Sequence, residues 1–178
     1  SGSGAVAGAG AVATIVQRTQ TRARIQSSAR INQGKRQPHQ QTVRVVAVSE
    51  SSIDVADGGA AGSLYAGIGA AAVVIVQEKE TIAEIASDSK VYASLNIDAL
   101  ARTVSNFNTL VVSMGGAIVG VSGSAAVVVV SDTTHTDVGS NAILTSGNNI
   151  NIGAYIDHTY IFQAGSISGG AGAIGGAV

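Results

Sequence analysis

Cysteine is absent from the 178 residues, which removes disulfides, thiolate metal sites and cysteine nucleophiles together. The same absence fits a protein exported unfolded through an oxidising compartment. Only one proline, Pro38, interrupts the chain, and aromatic residues amount to 3%. An interior must then be filled by Val, Ile, Leu and Ala, which suits a narrow lumen better than a broad globular core. Charged residues are 12% against 46% hydrophobic, far from the composition of a disordered chain and sufficient for one buried domain. The opening Ser1-Gly2-Ser3-Gly4 has neither an initiator Met nor a basic stretch followed by an apolar run, so no signal peptide is read. The Gly-Gly and Asp-rich calcium nonapeptide of toxin-type β-rolls is missing too.

What the chain does contain is a phrase that it repeats. Ile15-Val16-Gln17 with Thr21, Ala23 and Ile25 returns sixty positions on as Ile75-Val76-Gln77 with Thr81, Ala83 and Ile85. At an offset of 54, Gly62, Gly69, Ala71, Ala72, Val73, Val74 and Val76 match Gly116, Gly123, Ala125, Ala126, Val127, Val128 and Val130. At 103, Ala61-Gly62-Ser63 matches Ala164-Gly165-Ser166. Ahead of each later glycine-rich stretch stands an alternating phrase: Val43-Arg44-Val45-Val46-Ala47, then Leu95-Asn96-Ile97-Asp98-Ala99, then Ile150-Asn151-Ile152-Gly153-Ala154. About four degenerate copies of roughly 50 to 60 residues fit a unit of several short strands, each burying its apolar face against its neighbours. Both ends cut through a copy, so residues 1–178 read as a single segment, an interior piece of a larger repeat array.

Apolar positions recur with period two and are mostly Val and Ile, which predicts strands rather than helices. Ile150, Ile152 and Ala154 share one face while Asn151 and Gly153 share the other. The unbroken runs at 73–76 and 127–130 predict strands covered on both faces, or strands whose outer face meets another layer. Inward positions are expected at Val73, Ile75, Val127, Val129, Ile150 and Ile152. Residues 108–131 carry no charge and are long enough to span a membrane, yet Gly115, Gly116, Gly120 and Gly123 suit a helix poorly, so no membrane span is expected. The fold class is therefore all-β, a β-solenoid.

The phrase from Ala164 through Gly165, Ser166 and Gly172 to Val178, preceded by Ile150-Asn151-Ile152-Gly153-Ala154-Tyr155, resembles the repeat region of large bacterial filamentous haemagglutinin-like or leukotoxin-like adhesins. The resemblance covers nearly the whole chain at the level of repeat style. It implies a right-handed parallel β-helix exported by an autotransporter or two-partner route, on the cell surface or outside the cell, in an adhesive or toxin-associated role. The family repeat supplies no catalytic residue and no cofactor.

The chain departs from that pattern at residues 26–42, a basic inserted loop of about eight extra residues judged by spacing. Residues 1–48 hold seven of the ten Lys and Arg and no Asp or Glu, so the net charge of −1 is +7 followed by −8. Arg18, Arg22, Arg24, Arg30, Lys35 and Arg36 are the candidate site for an anionic partner, such as a host glycan, another anionic surface or the acidic face of a second copy. The competing reading is a solvated turn that keeps a stacked surface soluble. No aromatic residue interleaves the basic ones, so specific nucleic-acid binding is not expected.

Other motifs carry less. The glycine phrases at 2–7 and 8–13 satisfy a dinucleotide fingerprint as text but open no helix. His135 lies near Asp132 and Asp137 in a hydrophilic stretch, where a ligand site is weighed and set aside. Acids scattered over several copies do not form an evident catalytic pair. Glu78, Glu80 and Glu84 correspond to Arg18, Gln20 and Arg24 at the sixty-residue offset, which predicts pairing across coils or across subunits rather than catalysis. Three functions follow in order: a non-enzymatic adhesin or stalk segment, a self-assembling fibre module whose partners are other copies of the chain, and a polysaccharide-active enzyme.

Overall fold

The computed structural model describes residues 2–33 and 40–178, with side chains from residue 5 onward. Among them there is no helix. The strands are β1 (Gly2–Ile25), β2 (Arg30–Ile31), β3 (Val43–Ile85), β4 (Lys90–Ala93), β5 (Ile97–Gly116), β6 (Val119–Val138), β7 (Ile143–Ser146), β8 (Ile150–Gly169) and β9 (Gly172–Ala177). All pairings are parallel. The large sheet runs β8-β5-β3-β6-β9 with β1 also on β3, and the small one runs β2-β4-β7.

Strand β3, with 43 residues, serves three ladders, one of them with β1. Residues 43–62 pair with β5 and residues 66–85 pair with β6, so the sheet doubles over at residues 63–65. Leaf A consists of residues 43–62, β5 and β8. Leaf B consists of β1, residues 66–85, β6 and β9. At 20 residues, β5 is about 65 Å long.

The two leaves face each other, and the space between them changes character along their length. Where leaf A begins and leaf B ends, Val45, Ala47, Ala83, Ile85, Ile97 and Ala99 form an apolar cluster that the small sheet closes with Val91 and Ala93. A second cluster lies further toward the bend, with Ile53, Phe107 and Val111 of leaf A against Ala71, Val73 and Ile75 of leaf B. Between them the interior is polar. At the bend the leaves converge until backbone meets backbone: a Cβ on Gly69 would stand 2.1 Å from the Met114 carbonyl oxygen, and one on Gly59 2.1 Å from that of Ala70. Glycine is required there by space.

The sixty-residue offset is the register of β1 on β3, where Ile15 pairs with Ile75, Gln17 with Gln77 and Ile25 with Ile85. Leaf A registers Val43 with Ile97 and Ile97 with Ile150. Leu95, aligned with Val43 by sequence, instead occupies the turn ahead of β5, a shift of two that preserves the face. Ile25 and Val43 are 18 positions apart and Ile85 and Ile97 are 12, so the insertion is six residues rather than eight. Lys35, Arg36 and the centre of the 26–42 loop lie outside the described residues.

The offset of 54 holds to Gly62–Gly116 and then drops to 53, because three residues turn the corner after Gly62 and only two do so after Gly116. A one-residue slip exchanges the faces of a strand. Val127 and Val129 therefore pair with Val74 and Val76 and point outward, half exposed, while Ala126, Val128 and Val130 pack on the core. Val73 and Ile75 are fully buried as expected. Ile150 and Ile152 share the inward face through Ile97 and Ala99, although no further strand lies beyond β8 among the described residues and both stay exposed. The 103-residue match is textual only: Ala61 registers with Gly115 and Gly115 with Ser168.

Residues 108–131 form parts of β5 and β6, and no helix among the described residues is long and apolar enough to cross a membrane. At one corner Ser28, Asp88 and Asn141 all adopt positive φ, 60°, 59° and 58°. Their turns stack through Ser28 N–H to the Ser87 carbonyl and Asp88 N–H to the Ser140 carbonyl. Small polar residues tolerate this left-handed geometry best after glycine.

Candidate functional site

Period two places Arg18, Gln20, Arg22 and Arg24 of β1 on the outer face of leaf B. Parallel register then sets them beside Glu78, Glu80, Ile82 and Glu84. Arg18 Nε lies 3.1 Å from Glu78 Oε2 and Arg24 Nε 3.2 Å from Glu84 Oε2. Gln20 donates its amide to Glu80. Arg22 sits over Ile82, which is only 3% exposed despite facing outward because Arg22 and His135 flank it in register. Arg30, on β2, is exposed beside Lys90, a like-charge neighbour. So Arg18 and Arg24 are engaged within the chain, whereas Arg22 and Arg30 form no ion pair with a described residue.

A second constellation lies inside, between the two apolar clusters. Leaf A brings Ser51, Ser105 and His158 into one column, and leaf B brings Thr19, Lys79 and Asp132 into the facing one. Lys79 is 2% exposed and donates to Ser51 Oγ at 2.5 Å, Ser105 Oγ at 3.1 Å and the Val104 carbonyl at 3.3 Å. Gln77, fully buried, donates to Ser105 Oγ at 2.8 Å and Asp132 Oδ2 at 3.1 Å, and accepts from Ser51 at 3.1 Å. Ser105 donates onward to Asp132 Oδ2 at 3.0 Å. His158 Nε2 is 2.9 Å from the same oxygen, and its Nδ1 is 2.9 Å from the Tyr160 hydroxyl. Since an ionised carboxylate only accepts, Nε2–H donates to Asp132. Tyr160 stacks on Phe107 with centroids 5.2 Å apart.

This chain of bonds joins a buried ammonium to a buried carboxylate through one serine hydroxyl. Burial pushes the Lys79 pKa below its ordinary value, with the Asp132 charge opposing. Burial and the same carboxylate push that of Tyr160 upward. The histidine has a carboxylate partner, but its other nitrogen meets a phenol rather than a serine, threonine or substrate-facing opening. The network satisfies its own donors and acceptors and fixes register, because a two-residue slip would drive Lys79 into the Gln77 or Thr81 position and away from Ser51, Ser105 and Asp132.

Asp132, His135 and Asp137 divide between faces: Asp132 points in, while His135 and Asp137 pair at 3.2 Å outside. No group of three or more His, Asp or Glu among the described residues is placed to hold a metal ion. The glycine phrases at 2–13 lie within β1, so they open no helix. The interior network carried a signal in the sequence, since Gln77, Lys79 and Thr81 share the parity of Val73 and Ile75. The partners of Lys79 required the leaf-on-leaf alignment, which no local pattern supplies. No protein-family model, no curated protein and no solved structure matches the chain.

Proposed function

We propose that the chain is a segment of a right-handed parallel β-helix of about four degenerate repeats, serving as a stalk or adhesive scaffold in an extracellular bacterial surface filament. The observation that carries this reading is the uniform parallel register, in which equivalent positions of successive strands stack and Arg18–Glu78 and Arg24–Glu84 pair laterally. A parallel stack extends without limit along one axis by about 4.8 Å per added coil, which suits a spacer that acts by length and needs no catalysis. In this reading Arg22 and Arg30, with Lys35 and Arg36 beside them in sequence, offer charge to an anionic partner, and Arg18 and Arg24 chiefly tie β1 to β3. Small-angle scattering on tandem fusions of one, two and four copies tests the stalk: length should grow in proportion at constant cross-section. A radius of gyration rising as for a compact globule would overturn it.

One observation favours a second reading, lateral self-assembly. Outward columns Val12–Ala72–Ala125, Thr14–Val74–Val127 and Val16–Val76–Val129 form a flat uncharged area that no described element covers, with Val12 76% and Val129 51% exposed. Sedimentation of wild type and Val129→Lys separates the two readings. Self-assembly predicts concentration-dependent oligomers that the lysine dissolves.

A further inference from the structure

The outer face of leaf A holds an open groove of ≈ 590 Å³. Its floor is Val46, Val48 and Leu100, all outward by register, and its far wall is Tyr155. The register neighbour of Leu100 on β8 is Gly153, and a Cβ there would meet the Tyr155 ring at 2.9 Å. The ring leans back over the glycine because that position has no side chain, and Tyr155 remains 60% exposed. Arg44 and Arg102 also line the groove, as does Asp157. Their states differ. Arg44 lies 3.7 Å from Asp98, which also accepts from Asn151 at 2.7 Å. Arg102 and Asp157 are exposed and bond to no other described side chain.

We propose that this groove binds an acidic sugar, a uronate pyranose or a short chain of them. A pyranose has one flat C–H face and a rim of hydroxyl groups, so it needs a small apolar platform edged by polar groups, which Tyr155 and the Val46–Leu100 floor supply. A uronate adds one planar carboxylate per ring, which a free guanidinium takes in bidentate fashion. Asp157, two residues on from Tyr155 on the same outer face, accepts from ring hydroxyls. The same aspartate opposes a polyphosphate, and the shallow open floor does not enclose a lipid tail. A strand added along the β8 edge would lie beside the groove, so the site does not depend on the stalk reading.

Isothermal titration with trimers of galacturonate, glucuronate and mannuronate, together with the methyl ester of each, tests the proposal. At least one uronate trimer should bind, with its methyl ester at least tenfold weaker. Tyr155→Ala should weaken that acid at least tenfold while Tyr155→Phe keeps the affinity within threefold. Arg102→Ala should erase the difference between acid and ester. Lys90→Ala, exposed on the small sheet and outside the groove, should change nothing. Failure of all three uronates to bind at millimolar concentration would overturn the site, as would equal losses from Lys90→Ala and Arg102→Ala, which mark diffuse attraction instead. Each substituted side chain is exposed, and a thermal melt superimposable on wild type accompanies each titration.

Discussion

Adding a single methyl group at the bend should be among the costliest small changes in this protein. In Gly69→Ala the new Cβ would stand 2.1 Å from the Met114 carbonyl oxygen and 2.7 Å from its carbonyl carbon. Both are backbone atoms of the facing leaf, so no rotamer relieves the overlap. The leaves must part by about 1 Å, and a gap of that size forfeits between a quarter and a half of the dispersion well for each contact it opens. Overpacking of this kind costs about 1–3 kcal/mol, and more where backbone must move, so the expected loss is about 2–4 kcal/mol. For a chain of this length that lowers the melting temperature by about 5–15 °C. Gly62→Ala is the control, because its Cβ meets nothing within 4 Å, and its effect should stay within about 1 kcal/mol. Gly59→Ala, 2.1 Å from the Ala70 oxygen, opens the same gap from the other side, so the double variant should lose less than the sum of the singles. Calorimetric melts of the four proteins decide the matter. A Gly69→Ala melting temperature within a degree of that of Gly62→Ala would refute the close approach of the leaves.

The register slip predicts opposite outcomes at adjacent valines: urea unfolding should show Val128→Asp losing about 3 kcal/mol or more, and Val127→Asp, on the outer face, within about 1 kcal/mol of wild type. Thr109 is fully buried with a hydroxyl that has no partner among the described residues, so Thr109→Val should leave the urea midpoint unchanged or raise stability by up to about 1 kcal/mol. Because burial depresses the Lys79 pKa below 10.5, the unfolded chain holds that proton where the fold releases it. The Lys79 contribution to stability therefore rises with pH up to 10.5, and urea midpoints measured from neutral pH upward should climb less in Lys79→Met. Tyr160, raised above 10.0, acts in the opposite sense: its contribution is whole below 10.0 and is lost as pH rises through the folded value. Arg18 and Glu78 are largely exposed, so a double-mutant cycle on them should return about 1 kcal/mol or less, declining with added salt.

Much of leaf B was legible because its chemistry is periodic. Identical residues at Ile15 and Ile75, Gln17 and Gln77, and Ile25 and Ile85 sit in register, since a parallel stack rewards like against like: apolar columns stay dry, and a stacked polar column shares hydrogen bonds. The Arg and Glu exchange at 18/78 and 24/84 was equally readable, because laterally adjacent outer positions are the ones that feel each other's charge. The groove beneath Tyr155 was not legible. It needs residues from three strands, and nothing local in Gly153-Ala154-Tyr155 announces that a ring will lie over a missing side chain.

The corner shows why a periodic sequence still misleads. Glycine and alanine fill both sides of the bend, so sliding one strand by a residue leaves the text almost as similar as before, and Gly69 finds Gly123 as readily as Ser122. The physical structure has no such freedom. Ser122 faces in and bonds Ser168 at 2.7 Å, Gly69 and Gly115 each face a carbonyl that admits no side chain, and beyond the buried Ser124 the inward apolar residues must be Ala126 and Val128 to complete the cluster around Phe107. Ser63-Leu64-Tyr65 turn the corner in one passage, and Ala117-Ile118 turn it in the next. The single residue lost there is cheap in an exposed turn, yet it decides which half of the Val127-Val128-Val129-Val130 run is core and which half faces water. In a run of four valines composition cannot choose between the faces, and the choice is made by Asp132, whose carboxylate reaches Gln77, Ser105 and His158 only from the inner one. The buried polar network thus sets the parity of the apolar strand beside it, which is a reason for a chain this poor in charge to keep a lysine and an aspartate inside.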